Sequence, residues 1–261
     1  MKGFAPALRT DPERMLLLVL LGGLSALAWF ALWRWGHSPY LHYTHHPHAP
    51  PGDGALFAAS IFVGGWTLMT VAMMLPTSLP LLAVFARAVE RRRDRPLLVG
   101  LVVVGYLAVW AAVGVLAYGL ALVIRSVAGR TPWIGEHGWV LGAVTLVGAG
   151  LYQFTRLKGR CLDRCRSPSS FVAEHWSGER PGGEALRLGV QHGVFCVGCC
   201  WTLMLLMFPL GAGNLGWMLL LGGLMAVEKN LPMGRALARP LGWALLVLGA
   251  VVIVRADGHL W

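Results

Sequence analysis

Long runs of apolar residues dominate the pattern of this chain, and short polar segments separate them. Several runs reach the roughly 20 residues that a helix needs to cross a bilayer, and none shows the alternation of barrel strands. The pattern therefore predicts an all-α fold, a polytopic transmembrane helical bundle of about seven spans. The predicted spans are 15–35, 55–82, 97–124, 139–156, 186–209, 214–229 and 238–255.

Charge is scarce and unevenly placed, which agrees with a membrane protein. Only 13% of the residues are charged, about half of what soluble domains carry. The net charge of +10 would suggest a nucleic-acid partner in a soluble protein. Here the basic residues crowd into alternate loops, so the lipid bilayer is the predicted partner and nucleic acid is not. The predicted location is the cell membrane (plasma or inner membrane).

The loop charges also predict an orientation. Basic residues follow the second, fourth and sixth predicted spans, which places those loops and the N-terminus in the cytoplasm. The first apolar run continues through Trp33, so we expect an uncleaved helix rather than a signal peptide. We predict a single transmembrane domain over 1–261, with a His-rich external loop at 36–54 and a cytoplasmic Cys-containing loop at 157–185.

Five cysteines fall into two clusters on either side of one predicted hairpin: Cys161 and Cys165, then Cys196, Cys199 and Cys200. The second cluster shares one helical face with His192, which lies one turn earlier. Thiolates suit soft ions such as Cu(I), so this stripe is a candidate metal site. The alternative is that these cysteines only pack, as small hydrophobic residues do.

The first cluster, Cys161 and Cys165, lies among basic residues that favour thiolate. A reducing cytoplasm makes a structural disulfide improbable there. Metal acceptance and disulfide exchange both fit this pair, and so does an incidental pair of loop cysteines.

Three further residues are weaker candidates. Met73 and Met74 lie in the second span near the depth of Cys200, where thioethers suit Cu(I) but methionine is also ordinary core filling. Glu228 ends the sixth span, where a carboxylate is costly unless it is paired. It is expected to pair with Lys229 or a basic loop residue, or else to act as a ligand or proton acceptor.

The predicted external loop is rich in histidine. Metal capture there would use His42, His45, His46 and His48. The same residues would also be compatible with a merely solvated loop. Elsewhere the chain has no nucleophile elbow, phosphate-binding loop or Rossmann fingerprint, so no catalytic site is predicted and a non-enzymatic role is favoured.

Several motifs together resemble one family of membrane proteins. They are Trp66, Met69, Met73-Met74 and Pro76; Tyr152-Gln153, Lys158, Cys161-Leu162, Cys165-Arg166 and Pro168; Cys196, Gly198-Cys199-Cys200-Trp201 and Met204; and Glu228-Lys229. The chain from about residue 60 to 230 resembles the DUF2182 family, whose members are described as predicted metal-binding integral membrane proteins, sometimes as copper chaperones. The resemblance implies a soft metal. It does not extend to the histidine-rich loop.

The leading hypothesis is an integral membrane protein that handles a soft cation, foremost Cu(I), by binding, delivery or translocation. A copper chaperone or a membrane enzyme subunit would be its protein partner. Two alternatives stay open at this point. One is a membrane thiol-disulfide oxidoreductase, and the other is an accessory subunit of a larger membrane enzyme complex.

Overall fold

The computed structural model describes residues 12–37, 54–131, 133, 137–210 and 214–257. The described residues are 87% helical and contain no strand, which confirms the all-α fold class. The helices are α1 Pro12–Gly36, α2 Ala55–Met73, α3 Leu79–Ala88, α4 Arg95–Arg130, α5 Trp139–Tyr152, α6 Arg156–Cys165, α7 Pro168–His175, α8 Pro181–Leu205, α9 Met207–Leu210, α10 Leu215–Asn230 and α11 Gly234–Asp257.

Five helices of the described chain are long and apolar enough to cross a membrane: α1, α2, α4, α8 with its extension α9, and α11. Helices α5 and α6 pass the same test only as one bent pair, with 69° between them. Helix α10 has only 16 residues. A helix thus lies at each predicted position, while the count of seven spans and the orientation stay predictions.

The second predicted span, 55–82, is broken rather than continuous. Helix α2 ends at Met73, a short 3-10 turn covers Pro76–Ser78, and α3 starts at Leu79. Proline lacks the backbone donor that a continuing helix needs. The freed carbonyl of Met74 accepts hydrogen bonds from the hydroxyls of Thr77 (2.7 Å) and Ser78 (3.4 Å). The break therefore leaves a small polar turn inside an otherwise apolar core.

The segment 157–185 was expected to be a loop, and this expectation is wrong. It contains two short helices, α6 and α7, whose apolar side chains Leu162, Phe171 and Val172 are buried. Thr155 starts α6 by accepting a hydrogen bond from the backbone N–H of Lys158. The composition of the segment is polar, but its few apolar residues share faces that pack onto the bundle.

Helices α4 and α8 pack with almost no space between their backbones. A side chain at Gly189 would collide with the carbonyl of Val102, and one at Gly105 with the carbonyl of Leu186. Gly193 lies against the side chain of Val109 in the same interface. Small residues allow such close approach of helices. Gly189 and Gly193 therefore let α8 lie directly against α4, and 56% of the α8 span is buried inside the bundle.

Candidate metal site

Helix α8 places three thiols in the interior of the bundle. Cys196, Cys199 and Cys200 are all buried, and none is in a disulfide. The thiols of Cys199 and Cys200 both donate to the carbonyl oxygen of Cys196, at 3.1 and 2.9 Å. The three side chains therefore gather within one helical turn, as their spacing predicted.

A buried ammonium group lies directly beside these thiols. The Nζ atom of Lys229, at the end of α10, is 2.8 Å from Sγ of Cys196. It also donates to the hydroxyl of Thr77 at 3.3 Å and lies 3.7 Å from Sδ of Met74. An ammonium is costly to bury unless an opposite charge or an acceptor meets it. A thiolate at Cys196 would supply that charge.

The sequence suggested Lys229 only as a partner for Glu228, so its contact with the thiols was missed. One signal for it was present. Lys229 lies in the last turn of an apolar helix and belongs to the Glu228-Lys229 motif of the resemblance. A charged residue in such a position usually has a specific partner.

The structure distinguishes the two candidate methionines. Sδ of Met74 lies 3.6 Å from Sγ of Cys200, so Met74 adds a thioether to the thiols. Met73 packs instead against Gly222 of α10. Its methyl carbon lies 3.1 Å from the position that a Cβ atom would take at Gly222. Consecutive residues of a helical turn point in directions about 100° apart, so the two methionines face different neighbours. Met74 is therefore the methionine that the fold brings to the cluster.

His192 is buried on the same face of α8, but it makes other contacts. Its Nε2 lies 3.2 Å from the hydroxyl of Ser78, and its ring stacks on Tyr106 with centroids 5.7 Å apart. The Tyr106 hydroxyl in turn lies 3.1 Å from Sγ of Cys196. Tyr106 thus links the imidazole to the thiols. Tyr106, Thr77 and Ser78 are contacts that sequence reasoning did not identify.

The two cysteine clusters meet in the fold. Sγ of Cys161 lies against Gly198 of α8, 2.5 Å from where a side chain there would begin. The Cys165 side chain reaches that of Cys199. Helix α6 therefore adds its thiols to the edge of the buried cluster, so the five cysteines lie around one place rather than two.

Two of the basic residues that were expected to favour thiolate at Cys161 and Cys165 are engaged elsewhere. Arg164 forms an ion pair with Glu174 at 2.5 Å. Arg166 donates to the backbone oxygens of Glu228 (2.6 Å) and Pro232 (3.0 Å). Cys161 itself is buried against α8. That expectation treated the segment as an open loop, and the helix directs these guanidinium groups away from the thiols.

Glu228 forms an ion pair with a basic residue, which is one of the two roles that the sequence suggested for it. Both carboxylate oxygens accept from Nζ of Lys158 in α6, at 2.8 and 2.9 Å, and both side chains are only 2% exposed. Its partner is Lys158, a basic residue of the segment 157–185 that was predicted as a loop, and not Lys229. With both oxygens bound to Lys158, Glu228 holds α6 against α10.

The sulfur atoms do not form a ready-made coordination shell. Among the described residues, no three His, Cys, Asp or Glu side chains are grouped so as to hold a metal ion. The thiols of Cys199 and Cys200 are turned to a backbone carbonyl, and Lys229 lies beside Cys196. Rotation about the cysteine side-chain torsions would redirect these thiols. The donor types, three thiols and a thioether, fit a soft ion.

The histidines proposed for external capture, His42, His45, His46 and His48, lie outside the described residues. The nearby His37 is described, and its Nδ1 lies 2.7 Å from the carbonyl oxygen of Trp33 at the end of α1. That contact is local to the helix end.

Thiolate and thioether groups are the ligands that soft metal ions prefer. The family model PpoB2, described as copper chaperone, matches residues 63–252, so the chain belongs to this family. The match agrees with the copper-chaperone description that accompanied the sequence resemblance, although it does not test the name DUF2182. No curated protein and no solved structure matches the chain.

Proposed function

We propose that this protein is an integral membrane protein that binds Cu(I) through Cys196, Cys199 and Cys200, with Met74 as an additional ligand. The observation that carries the proposal is the meeting of these thiols and this thioether in one buried place. The family description supports copper as the metal. The buried, reduced sulfur set favours the monovalent ion, since thiolate and thioether ligands select Cu(I).

Lys229 supports the proposal through charge. A Cu(I) ion bound by two thiolates carries one net negative charge, and such a charge is costly in an apolar interior. The ammonium group 2.8 Å from Cys196 would compensate it. We infer that Lys229 is a positioning and charge-compensating residue that stays beside the occupied site.

Helix α6 offers a route for exchange. Cys165 neighbours Cys199, so a soft ion could pass from one thiol to the next by ligand replacement. Cys161 and Cys165 would then be the thiols that a cytoplasmic copper chaperone or a membrane enzyme subunit meets. The plasma or inner membrane is the proposed location, which the apolar helices support.

The contact between Cys165 and Cys199 also supports one rival, a membrane thiol-disulfide oxidoreductase. In that case the two thiols would pass two electrons and two protons to a partner disulfide and become a disulfide themselves. A cytoplasmic dithiol would then reduce that disulfide back to the two thiols. All five cysteines are free in this structure, which is the state that metal binding requires.

The test uses the full chain, purified in detergent under reducing conditions and titrated with Cu(I) against a coloured chelator. Changing Cys199→Ser and Cys200→Ser together should abolish tight binding. Met74→Leu should weaken binding, and Met73→Leu is its matched control, because Met73 is the adjacent methionine but packs on α10.

Unchanged Cu(I) stoichiometry and affinity in the double cysteine variant would refute the proposed site. Trapping the cysteines with an alkylating reagent in cells tests the rival. A Cys165–Cys199 disulfide that accumulates when cytoplasmic reductant is depleted, in a protein that binds no Cu(I), would favour the oxidoreductase.

A further inference from the structure

A cleft opens between the bend that joins α5 to α6 and the first half of α11. Its volume is about 760 Å³, and its walls come from residues 153–163 on one side and 235–243 on the other. It lies on the outer side of α6, whereas the thiols lie on the inner side against α8. The proposed copper site does not use this cleft.

Arginines line the cleft on both walls. Arg156 and Arg160 come from α6, and Arg235 and Arg239 from α11. Arg235 forms an ion pair with Asp163, with 3.2 Å between Nη1 and Oδ1. In the described part of the chain the structure gives Arg156, Arg160 and Arg239 no hydrogen-bond or ion-pair partner. Three unpaired guanidinium groups thus surround one concave space, and this arrangement suits an anion with several acceptor oxygens.

Gln153 is an independent sign that a polar ligand enters the cleft. Its side chain lines the cleft, yet the residue is only 5% exposed. Neither the oxygen nor the nitrogen of its amide has a hydrogen-bond partner among the described residues. Buried polar groups are nearly always satisfied, so an orphaned amide is an exception that needs an explanation. An oxygen-rich ligand in the cleft would accept from its Nε2.

One end of the cleft has an aromatic lining. The rings of Phe154 and Trp243 meet edge to face with centroids 5.4 Å apart, and Trp243 is 63% exposed. Phe154 packs onto Gly242, which leaves room for the ring. Cationic groups next to exposed aromatic rings are the usual arrangement at a membrane interface. A ligand that combines an anionic head with an apolar tail would match both ends of the cleft.

We propose that this cleft binds the phosphate headgroup of an anionic phospholipid, with the acyl chains along Trp243. The three arginines and Gln153 bind the phosphate oxygens. Basic pockets between helices at the cytoplasmic face of a membrane bind anionic headgroups in this way. Inorganic phosphate offers the same oxygens but has no acyl chain, so it would gain nothing from the aromatic end.

The test uses the full chain in detergent, with lipid binding measured by native mass spectrometry. Phosphatidylglycerol, phosphatidylcholine and inorganic phosphate are added separately. The cleft variant combines Arg156→Gln, Arg160→Gln and Arg239→Gln. The matched control, Arg87→Gln with Arg91→Gln and Arg93→Gln, removes the same charge from the end of α3 and the turn before α4. Gln153→Leu removes the orphaned amide and keeps the total charge.

We expect phosphatidylglycerol to bind the wild type and the control equally, and the cleft variant to lose affinity roughly tenfold or more. Gln153→Leu should lose affinity as well, while phosphatidylcholine and inorganic phosphate should bind weakly to all forms. Equal loss in the control, or equal binding of both lipids to the wild type, would overturn the cleft assignment. Inorganic phosphate that displaces the lipid would overturn the choice of a phospholipid.

Helical content by circular dichroism accompanies each variant. If the triple variant does not fold, Gln153→Leu and the single change Arg160→Gln decide the question by the same measurements.

Discussion

At the scale of single residues, the contact between Lys229 and Cys196 matters most for the proposed chemistry. The ammonium group lies 2.8 Å from the sulfur and is buried with it. In an interior of low dielectric a thiolate without such a partner would be strongly disfavoured. The ammonium group would therefore stabilise a thiolate at Cys196 in the absence of metal. With Cu(I) bound, it would compensate the negative charge of the copper-thiolate unit.

Lys229→Met should lower the affinity for Cu(I) by about tenfold or more, which corresponds to about 1.4 kcal/mol. The reason is that the negatively charged copper-thiolate unit loses its counter-charge while the volume of the side chain is largely kept. Lys229→Arg, which preserves the charge, should retain more of the affinity. The measurement is a chelator competition titration of each full-length variant. Equal affinity of wild type and Lys229→Met would contradict the compensating role.

Gly198 gives a second prediction at this scale, because Sγ of Cys161 occupies the space beside it. Gly198→Val should push α6 away from α8 and lower the free energy of unfolding by about 1–3 kcal/mol. Gly148→Val in α5 is the control, since nothing lies within 4 Å of a side chain there. Thermal unfolding in detergent measures the difference. A variant as stable as its control would show that α6 does not pack tightly at this point.

At the scale of elements, the sequence predicts the long apolar helices but not α6, which is attached to the bundle through contacts with α8 and α10. The long apolar helices and the cysteine stripe on α8 follow from local periodicity, which a single sequence carries. Helix α6 does not, because its composition is polar and only its position against α8 and α10 buries Lys158 and Cys161. The partners of Lys158 and Lys229 depend on contacts between distant segments, and spacing along the chain does not encode these.

The ion pair between Lys158 and Glu228 gives a prediction for this attachment. Glu228→Leu alone should destabilise the protein by about 3–5 kcal/mol, because it leaves a buried ammonium group without its partner. The double change Lys158→Met with Glu228→Leu should recover most of that loss, since no charge is then left buried. Chemical denaturation of the single and double variants gives the comparison. A double variant no more stable than the single one would mean that the pair itself, rather than the orphaned charge, stabilises the fold.

At the scale of the whole molecule, the loop charges predict how the bundle lies in a membrane. Charge placement predicts that the turn after α3 faces the cytoplasm and that the connection before α10 faces outside. Cys161 is a poor reporter of this, because it is buried. Arg93 and Asn214 are exposed and lie in these two connections, so they serve better.

In a cysteine-free background, Asn214→Cys should react with a membrane-impermeant thiol reagent in intact cells. Arg93→Cys should react only after the cells are permeabilised. The extent of labelling, read by gel shift, checks the orientation. The reverse pattern would place the N-terminus and the α6 thiols on the outer side.

For the proposed copper site, the buried pair that ties α6 to α10 would also have a kinetic consequence for release of the ion. Moving α6 aside would expose the thiols, but it would first separate Lys158 from Glu228 inside the protein. Spontaneous dissociation of the ion would therefore be slow even where its equilibrium affinity is moderate. Release would instead follow an associative course, in which an acceptor protein offers a thiol at Cys165 before the last bond to α8 breaks. The residence time of the metal would then depend on the concentration of the acceptor.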